Sequence, residues 1–218
     1  MMVDTIKTVK CIIFDFDGVL ADTEFGRFGQ LTELLRQRGI DLRKRCTEKN
    51  LVGLSTTAFF RKFFPEMSER DIEELSYVRH LDYLQNLNRY CKPYPNVNET
   101  ITLLKSKGYT LVLATANETK SAHTLLQYVG ISNDFSAIYG REIMEDSNGN
   151  KSYDFIRNKI EYSAEECVVI EDSMVGVSAS KKAGYLTIAM NRYNDDQVIN
   201  AADIVVNDFN ELLKIFEN

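Results

Sequence analysis

Apolar residues fall along this chain in two kinds of pattern, and the change between them divides it. Residues 11–14, Cys-Ile-Ile-Phe, form a short unbroken apolar run. A run of that length, rich in β-branched and aromatic residues, predicts a strand buried on both faces. From 24 to 38 the apolar residues recur at 25, 28, 31, 34 and 35, which is helical spacing, and Gly39 is a fitting stop. Thr47 can cap a further helix, and Ser55 can cap one that carries Phe59, Phe60, Phe63 and Phe64 and stops at Pro65. Ser68-Glu-Arg-Asp71 has the spacing of a capping box, with Asp in place of Glu. It opens a long helix with Ile72, Leu75, Val78, Leu81, Leu84 and Leu87 on one stripe. The phenylalanine cluster reads as helical core rather than a ligand cage. The stretch 21–91 thus predicts helices and no strand.

Lys92-Pro-Tyr-Pro-Asn96 breaks that pattern, because neither proline can sit inside a helix. Beyond it the periodicity alternates. Strands are expected at 109–114, 135–139, 167–170, 186–190 and 204–206. Helices are expected at 97–107, 118–129, 152–162, 174–183 and 209–216. Alternation of this kind predicts the α/β class with a doubly wound parallel sheet. The helical stretch is then an insertion after the first strand, giving one domain from 1–20 and 92–218 and a second from 21–91.

Composition narrows the reading. The chain has 218 residues, 44% hydrophobic and 27% charged, enough for one sizeable core and a small second domain. Its net charge of −6 and the lack of a long basic run argue against nucleic acid as the main partner. No apolar stretch reaches the roughly 20 residues that span a bilayer, so no membrane partner is expected, and Met1 to Lys7 lack an apolar signal core. Cys11, Cys46, Cys91 and Cys167 are widely spaced, and two lie in expected strands. Buried free thiols and a cytoplasmic location follow. A monomer is the expected state.

The chemistry lies at the strand ends. The first strand runs straight into Asp15 and Asp17, followed by Gly18. Acids just past a buried strand sit at the carboxyl edge of the sheet, where open α/β sheets bind ligands. Two crowded carboxylates need a cation between them, or one must hold a proton. The same letters suit an acidic turn, and the calcium-loop alternative fails because Ala21, Thr23 and Gly26 stand where its later ligands belong. The strand at 110–114 ends in Thr115-Ala-Asn117, which suits an anion site or a simple helix cap. The strand at 167–170 ends in Glu171-Asp172-Ser173, which can join the first two acids around a hard cation or can cap the next helix. Lys151 follows the turn-like Asp146-Ser-Asn-Gly-Asn150 and matters only as a fixed cation for a phosphoryl group.

Phe14-Asp-Phe-Asp-Gly-Val-Leu-Ala-Asp-Thr-Glu24 closely resembles the first motif of the haloacid-dehalogenase-like hydrolases, a family of aspartate-nucleophile phosphatases. The later strand ends match that family's further motifs in order and rough spacing, over nearly the whole chain. The resemblance implies a Rossmann-like core with a helical cap at 21–91, in the position used by the phosphoglycolate-phosphatase and β-phosphoglucomutase branch. It implies Asp15 as nucleophile, Asp17 as acid/base, Thr115 as phosphate-binding hydroxyl and Lys151 as phosphate-binding cation. Magnesium is the implied cofactor, with Asp15, Asp17, Glu171 and Asp172 as its residues; Asp17 would serve through its carbonyl oxygen. Gly18, Ala116 and Asn117 would bind substrate, and Arg27 and Ser55 are the cap's candidates for it. The implied activity is hydrolysis of a small phosphorylated metabolite through an aspartyl-phosphate.

Two departures stand out. The third motif often reads Lys-Pro-x-Pro-Asp, and here it is Lys151-Ser-Tyr-Asp154; Pro95-Asn96 replaces a usual Pro-Gly. A mutase would carry a histidine and a basic residue where Arg27 and Thr56 stand here. A non-catalytic binding or regulatory protein would lose one of the first two acids, and both are present.

Overall fold

The structure is a computed structural model that describes residues 6–24, 26–47, 50–51, 54–145 and 151–217. Two compact units emerge: one spans Asp22–Lys92, and the other joins the chain up to Ala21 with the chain from Pro93 onward. In chain order the strands are β1 (Cys11–Phe14), β2 (Ala21–Asp22), β3 (Lys92–Pro93), β4 (Thr110–Ala114), β5 (Ala137–Tyr139), β6 (Cys167–Glu171), β7 (Leu186–Met190) and β8 (Ile204–Val206). β2 and β3 form a separate two-stranded ribbon.

The other six make one parallel sheet in the order β5-β4-β1-β6-β7-β8. All four residues of β1 and all five of β6 are buried. Strands covered on both faces need apolar side chains at every position, which is why they read as unbroken runs. Cys11, Ile13, Val112, Cys167 and Val169 share one face with Met144, Tyr153, Ile156 and Ala183. From β1 the chain builds outward to β4 and β5, then returns to the other side of β1 with β6. The strand order therefore reverses at the β1/β6 border, the place where such sheets form a crevice at their carboxyl ends.

In the 22–92 unit, α1 (Arg27–Arg36), α2 (Thr56–Phe63), α3 (Glu69–Gln85) and α4 (Leu87–Tyr90) enclose a core. Leu31, Leu35, Phe59, Phe60, Phe64 and Ile72 meet there, and Phe59 and Phe60 pack edge to face at 5.5 Å. The phenylalanines are core, as their spacing implies. Ser55 caps α2 by accepting from the Ala58 amide, and Ser68 caps α3 by accepting from Asp71. The apolar stripe expected along α3 is only half used: Ile72 and Leu75 are buried, Val78 and Leu81 are exposed, and Tyr83 takes the later inward place. Thr47's expected helix begins at residues outside those described.

In the α/β unit the helices are α5 (Val97–Ser106), α6 (Thr119–Val129), α7 (Arg141–Met144), α8 (Asp154–Arg157), α9 (Met174–Lys182), α10 (Asp196–Ala201) and α11 (Phe209–Ile215). The helix expected over 152–162 contracts to α8. Past Arg157 the chain turns, and Ser163 with Glu166 closes a local capping box around residues 164–166, which competes with helix continuation. α10 was not expected; Asp195 caps it by accepting from the Gln197 amide. All four cysteines are free and buried. No helix among the described residues is long and apolar enough to cross a membrane.

Candidate active site

The crevice above β1 and β6 gathers the acids. The Asp15 amide donates to Ile170 O at 3.0 Å, extending the β1/β6 ladder one residue and fixing Asp15 beside the end of β6. The chain then turns. Phe16, fully buried, uses its carbonyl to accept from the amides of Val19, Leu20 and Ala21. Asp17 therefore leaves the sheet and its carboxylate accepts from Asn117 Nδ2 at 2.6 Å, at the end of β4. Gly18 adopts φ +72°, and a Cβ there would lie 1.7 Å from Asp172 Oδ2. No other residue type meets both conditions.

Lys151 lies among the acids, its side chain only 10% exposed. Its Nζ is 2.9 Å from Asp15 Oδ1 and 2.5 Å from Glu171 Oε1. Glu171 is fully buried and bonded on both oxygens. Oε1 accepts from Lys151 and from Tyr153 Oη at 2.6 Å; Oε2 accepts from the Asp172 amide and Ser173 Oγ, each at 3.3 Å. Gly176 makes room for it, because a Cβ there would fall 2.0 Å from the Glu171 carboxyl carbon. Thr115 is fully buried, and its Oγ1 accepts from the Asn117 amide and from Asn117 Nδ2, both at 3.1 Å.

Several expectations are corrected. The cap reading of Thr115 and Asn117 fails: α6 begins after Glu118, and Thr119's amide is satisfied by the Glu142 carboxylate at 3.1 Å. Gly18 cannot offer its amide to a substrate, because that N–H donates to Ala21 O at 2.9 Å within the turn. At the second acidic pair the cap alternative holds for Ser173, which caps α9 by accepting from the Gly176 amide at 3.1 Å, and leaves Asp172 to the acidic group. In the helical unit Arg27 is buried, with Nη1 2.6 Å from Glu24 Oε1 and Nη2 2.5 Å from Leu54 O, so its guanidinium fastens its own unit. Ser55 is occupied as the α2 cap. The structure thus brings Asp15, Asp17, Thr115, Asn117, Lys151, Glu171 and Asp172 to one sheet edge. Ala116, just past β4, is exposed. Tyr153 was missed, because no local pattern marks it: its partner Glu171 stands at the end of β6, eighteen residues further on.

Charge in the crevice is unbalanced. Burial pushes the Asp15 carboxyl up to about 8, with Glu171 and Asp17 adding repulsion while Lys151 pulls it back. Burial, then Glu171 and Asp15, push Asp172 well above the usual carboxylate range. Burial would lower Lys151, but Asp15 and Glu171 outweigh it and hold it well above its ordinary value. Oxygens of Asp15, Glu171 and Asp172 lie within 4.8 Å of one another, and buried Asp15 Oδ1 has no directed hydrogen bond, only the ionic contact with Lys151. A hard divalent cation fits this donor set: all donors are oxygen, and its charge removes the repulsion that otherwise drives protons onto Asp15 and Asp172.

Residues 12–190 match the sequence profile of the haloacid dehalogenase-like hydrolases. The chain belongs to that family. Among its curated relatives, YhcW of Bacillus subtilis, named as a phosphatase, is 30% identical over 183 residues, covering 81% of this chain and 80% of its own. A phosphoglycolate phosphatase of Vibrio cholerae is 26% identical over 224 aligned positions, covering 96% and 98%. A β-phosphoglucomutase of Bacillus subtilis is 24% identical over 215, covering 94% and 92%. The fold matches a crystal structure from Haemophilus somnus, described as a predicted phosphoglycolate phosphatase, with a TM-score of 0.83, 21% identity and coverage of 96% and 99%.

Proposed function

We propose that the chain is a magnesium-dependent phosphatase that hydrolyses a small phosphate monoester through an aspartyl-phosphate on Asp15. The coarse activity, hydrolysis of phosphate esters, follows from the family and from relatives named as phosphatases. The observation that carries the finer reading is the placement of Asp15 Oδ1 beside Lys151, with Asp172 in the same acidic group. Asp15, Asp172 and the carbonyl oxygen of Asp17 would hold the cation, with Glu171 beside them. Its chemistry there is charge neutralisation, letting an anionic carboxylate approach an anionic phosphate.

The residues then divide the work. An Asp15 carboxylate oxygen bonds to phosphorus as the bond from phosphorus to the leaving oxygen breaks. Asp17 gives its proton to that oxygen. Water then attacks the same phosphorus and loses its proton to Asp17, and the bond to Asp15 breaks, freeing orthophosphate. Lys151, Thr115 Oγ1 and the Ala116 amide position the phosphoryl oxygens and balance their charge. The α/β unit carries this chemistry, and the helical unit 22–92 is the cap that selects the substrate, a sugar phosphate or phosphoglycolate in class.

Hydrolysis of p-nitrophenyl phosphate with and without magnesium, in wild type and Asp15→Asn, tests the proposal. Magnesium-dependent turnover abolished by the substitution is expected; turnover that survives it would overturn the mechanism. A mutase reading is favoured by the relative named β-phosphoglucomutase. It requires interconversion of sugar phosphates primed by a bisphosphate, which the same preparation can be assayed for.

A further inference from the structure

We propose that Arg192 is the positioning residue for Asp17, acting through the backbone of the turn that carries it; the inference rests on the reading of Asp17 as proton donor to the leaving group. Arg192 lies in the loop after β7, far from Asp17 in sequence. Its guanidinium is a fork set into that turn. Nε donates to Gly18 O at 3.0 Å, Nη2 to Val19 O at 3.2 Å, and Nη1 to Asn207 O at 3.1 Å, past β8. The plane rests on the Tyr94 ring, with Cζ 3.6 Å from its centroid.

The turn explains why a cation belongs there. Phe16 O takes the amides of Val19, Leu20 and Ala21, so residues 16–21 close into one tight turn. Ala21 O takes the Gly18 amide inside the turn, whereas the carbonyls of Gly18, Val19 and Leu20 take donors from outside it. Leu20 O is satisfied by the Tyr94 amide at 3.2 Å. Gly18 O and Val19 O are satisfied by Arg192. One guanidinium thus ties the turn to the β7 loop, the β8 loop and the segment at Tyr94.

Asp172 Oδ2 stands where a Gly18 Cβ would fall, so the Gly18 Cα packs close against that carboxylate while its carbonyl accepts from the fork. Asp17, the preceding residue, has its carboxylate held separately by Asn117. Asp15 is different, because the β1/β6 ladder holds it directly. Loss of Arg192 should therefore blur Asp17 and spare Asp15. A planar fork is required, since an ammonium cannot meet three carbonyls in this geometry.

The test compares kcat/KM for p-nitrophenyl phosphate and phenyl phosphate in wild type, Arg192→Ala, Arg192→Lys and Asp17→Asn. The two esters are close in shape; p-nitrophenolate leaves without a proton, whereas phenolate benefits from one. kcat/KM reports the steps up to phosphoryl transfer to Asp15 and is insensitive to the later attack of water. The expected result is a preference for the nitrophenyl ester that rises about tenfold in Arg192→Ala, part of the factor a general acid supplies, and rises less in Arg192→Lys. An equal loss for both esters in the folded variants would make Arg192 a packing residue and overturn the inference, as would an unchanged preference in Arg192→Lys if Arg192→Ala does not fold. Asp17→Asn separates the two claims. A raised preference in Asp17→Asn with none in Arg192→Ala sinks the inference alone, whereas an unchanged preference in Asp17→Asn sinks the reading of Asp17 itself.

Discussion

Replacing Asp15 by Asn should flatten the pH dependence of stability in the metal-free protein. The folded protein holds the Asp15 proton up to about pH 8, against an ordinary value of 3.8. Below the unfolded value both states are protonated and nothing is lost. Between the two values the unfolded chain releases the proton while the folded chain keeps it, so stability falls as pH rises, then levels above the folded value. At about 1.4 kcal/mol per pH unit, the stretch from pH 5.5 to 8.5 removes about 3 kcal/mol. Asp172 is shifted in the same direction and adds to the loss. Lys151, raised above its ordinary value, keeps its charge throughout this window. In a chain of this size that loss lowers the melting temperature by on the order of 10 °C. Thermal unfolding in EDTA at the two pH values reads it out. Wild type should fall by that margin more than Asp15→Asn, and magnesium should stabilise wild type more at pH 8.5 than at pH 5.5. Parallel curves for the two proteins, or a larger magnesium effect at the lower pH, would refute the electrostatic account.

Further tests probe how the acids are seated. Gly18→Ala puts a methyl 1.7 Å from Asp172 Oδ2 at φ +72°; magnesium affinity from a thermal-shift titration should fall about tenfold or more, and unchanged affinity would refute the seat. Tyr153→Phe keeps the ring and removes the hydroxyl on Glu171 Oε1; urea unfolding should show a loss of about 1–3 kcal/mol, the cost of a buried acceptor left short. An unmoved midpoint would show that Glu171 does not depend on Tyr153.

What could be read from sequence followed the range of the interactions. β1 and β6 were legible because burial on both faces demands apolar side chains at every position. The acids after them stand out behind such a run, but the same letters also suit a turn or a cap, and only the resemblance to the family's motifs chose between these readings. Lys151 was placed by resemblance rather than by pattern, since it follows a loop. Tyr153 and Arg192 gave no local signal: their partners, Glu171 and the Gly18–Val19 carbonyls, come from distant segments brought together by the sheet. Helix propensity misled at 152–162, where tertiary packing of Tyr153 and the Ser163 capping box cut the helix short. Arg27, a cap candidate for substrate, is an internal fastener, because nothing in its spacing reveals the carbonyl of Leu54.

The proposed mechanism stands on Asp15 as the carrier of the phosphoryl group. Its most direct test is to mix Asp17→Asn with p-nitrophenyl phosphate and magnesium, quench in acid, and map the modified peptide by mass spectrometry. The nitrophenyl ester needs no proton to leave, while release of the phosphoryl group needs Asp17 as base, so the intermediate should accumulate. One phosphoryl group per chain, on Asp15, is the expected result. A phosphoryl group on another residue, or turnover with none on the protein, would contradict it.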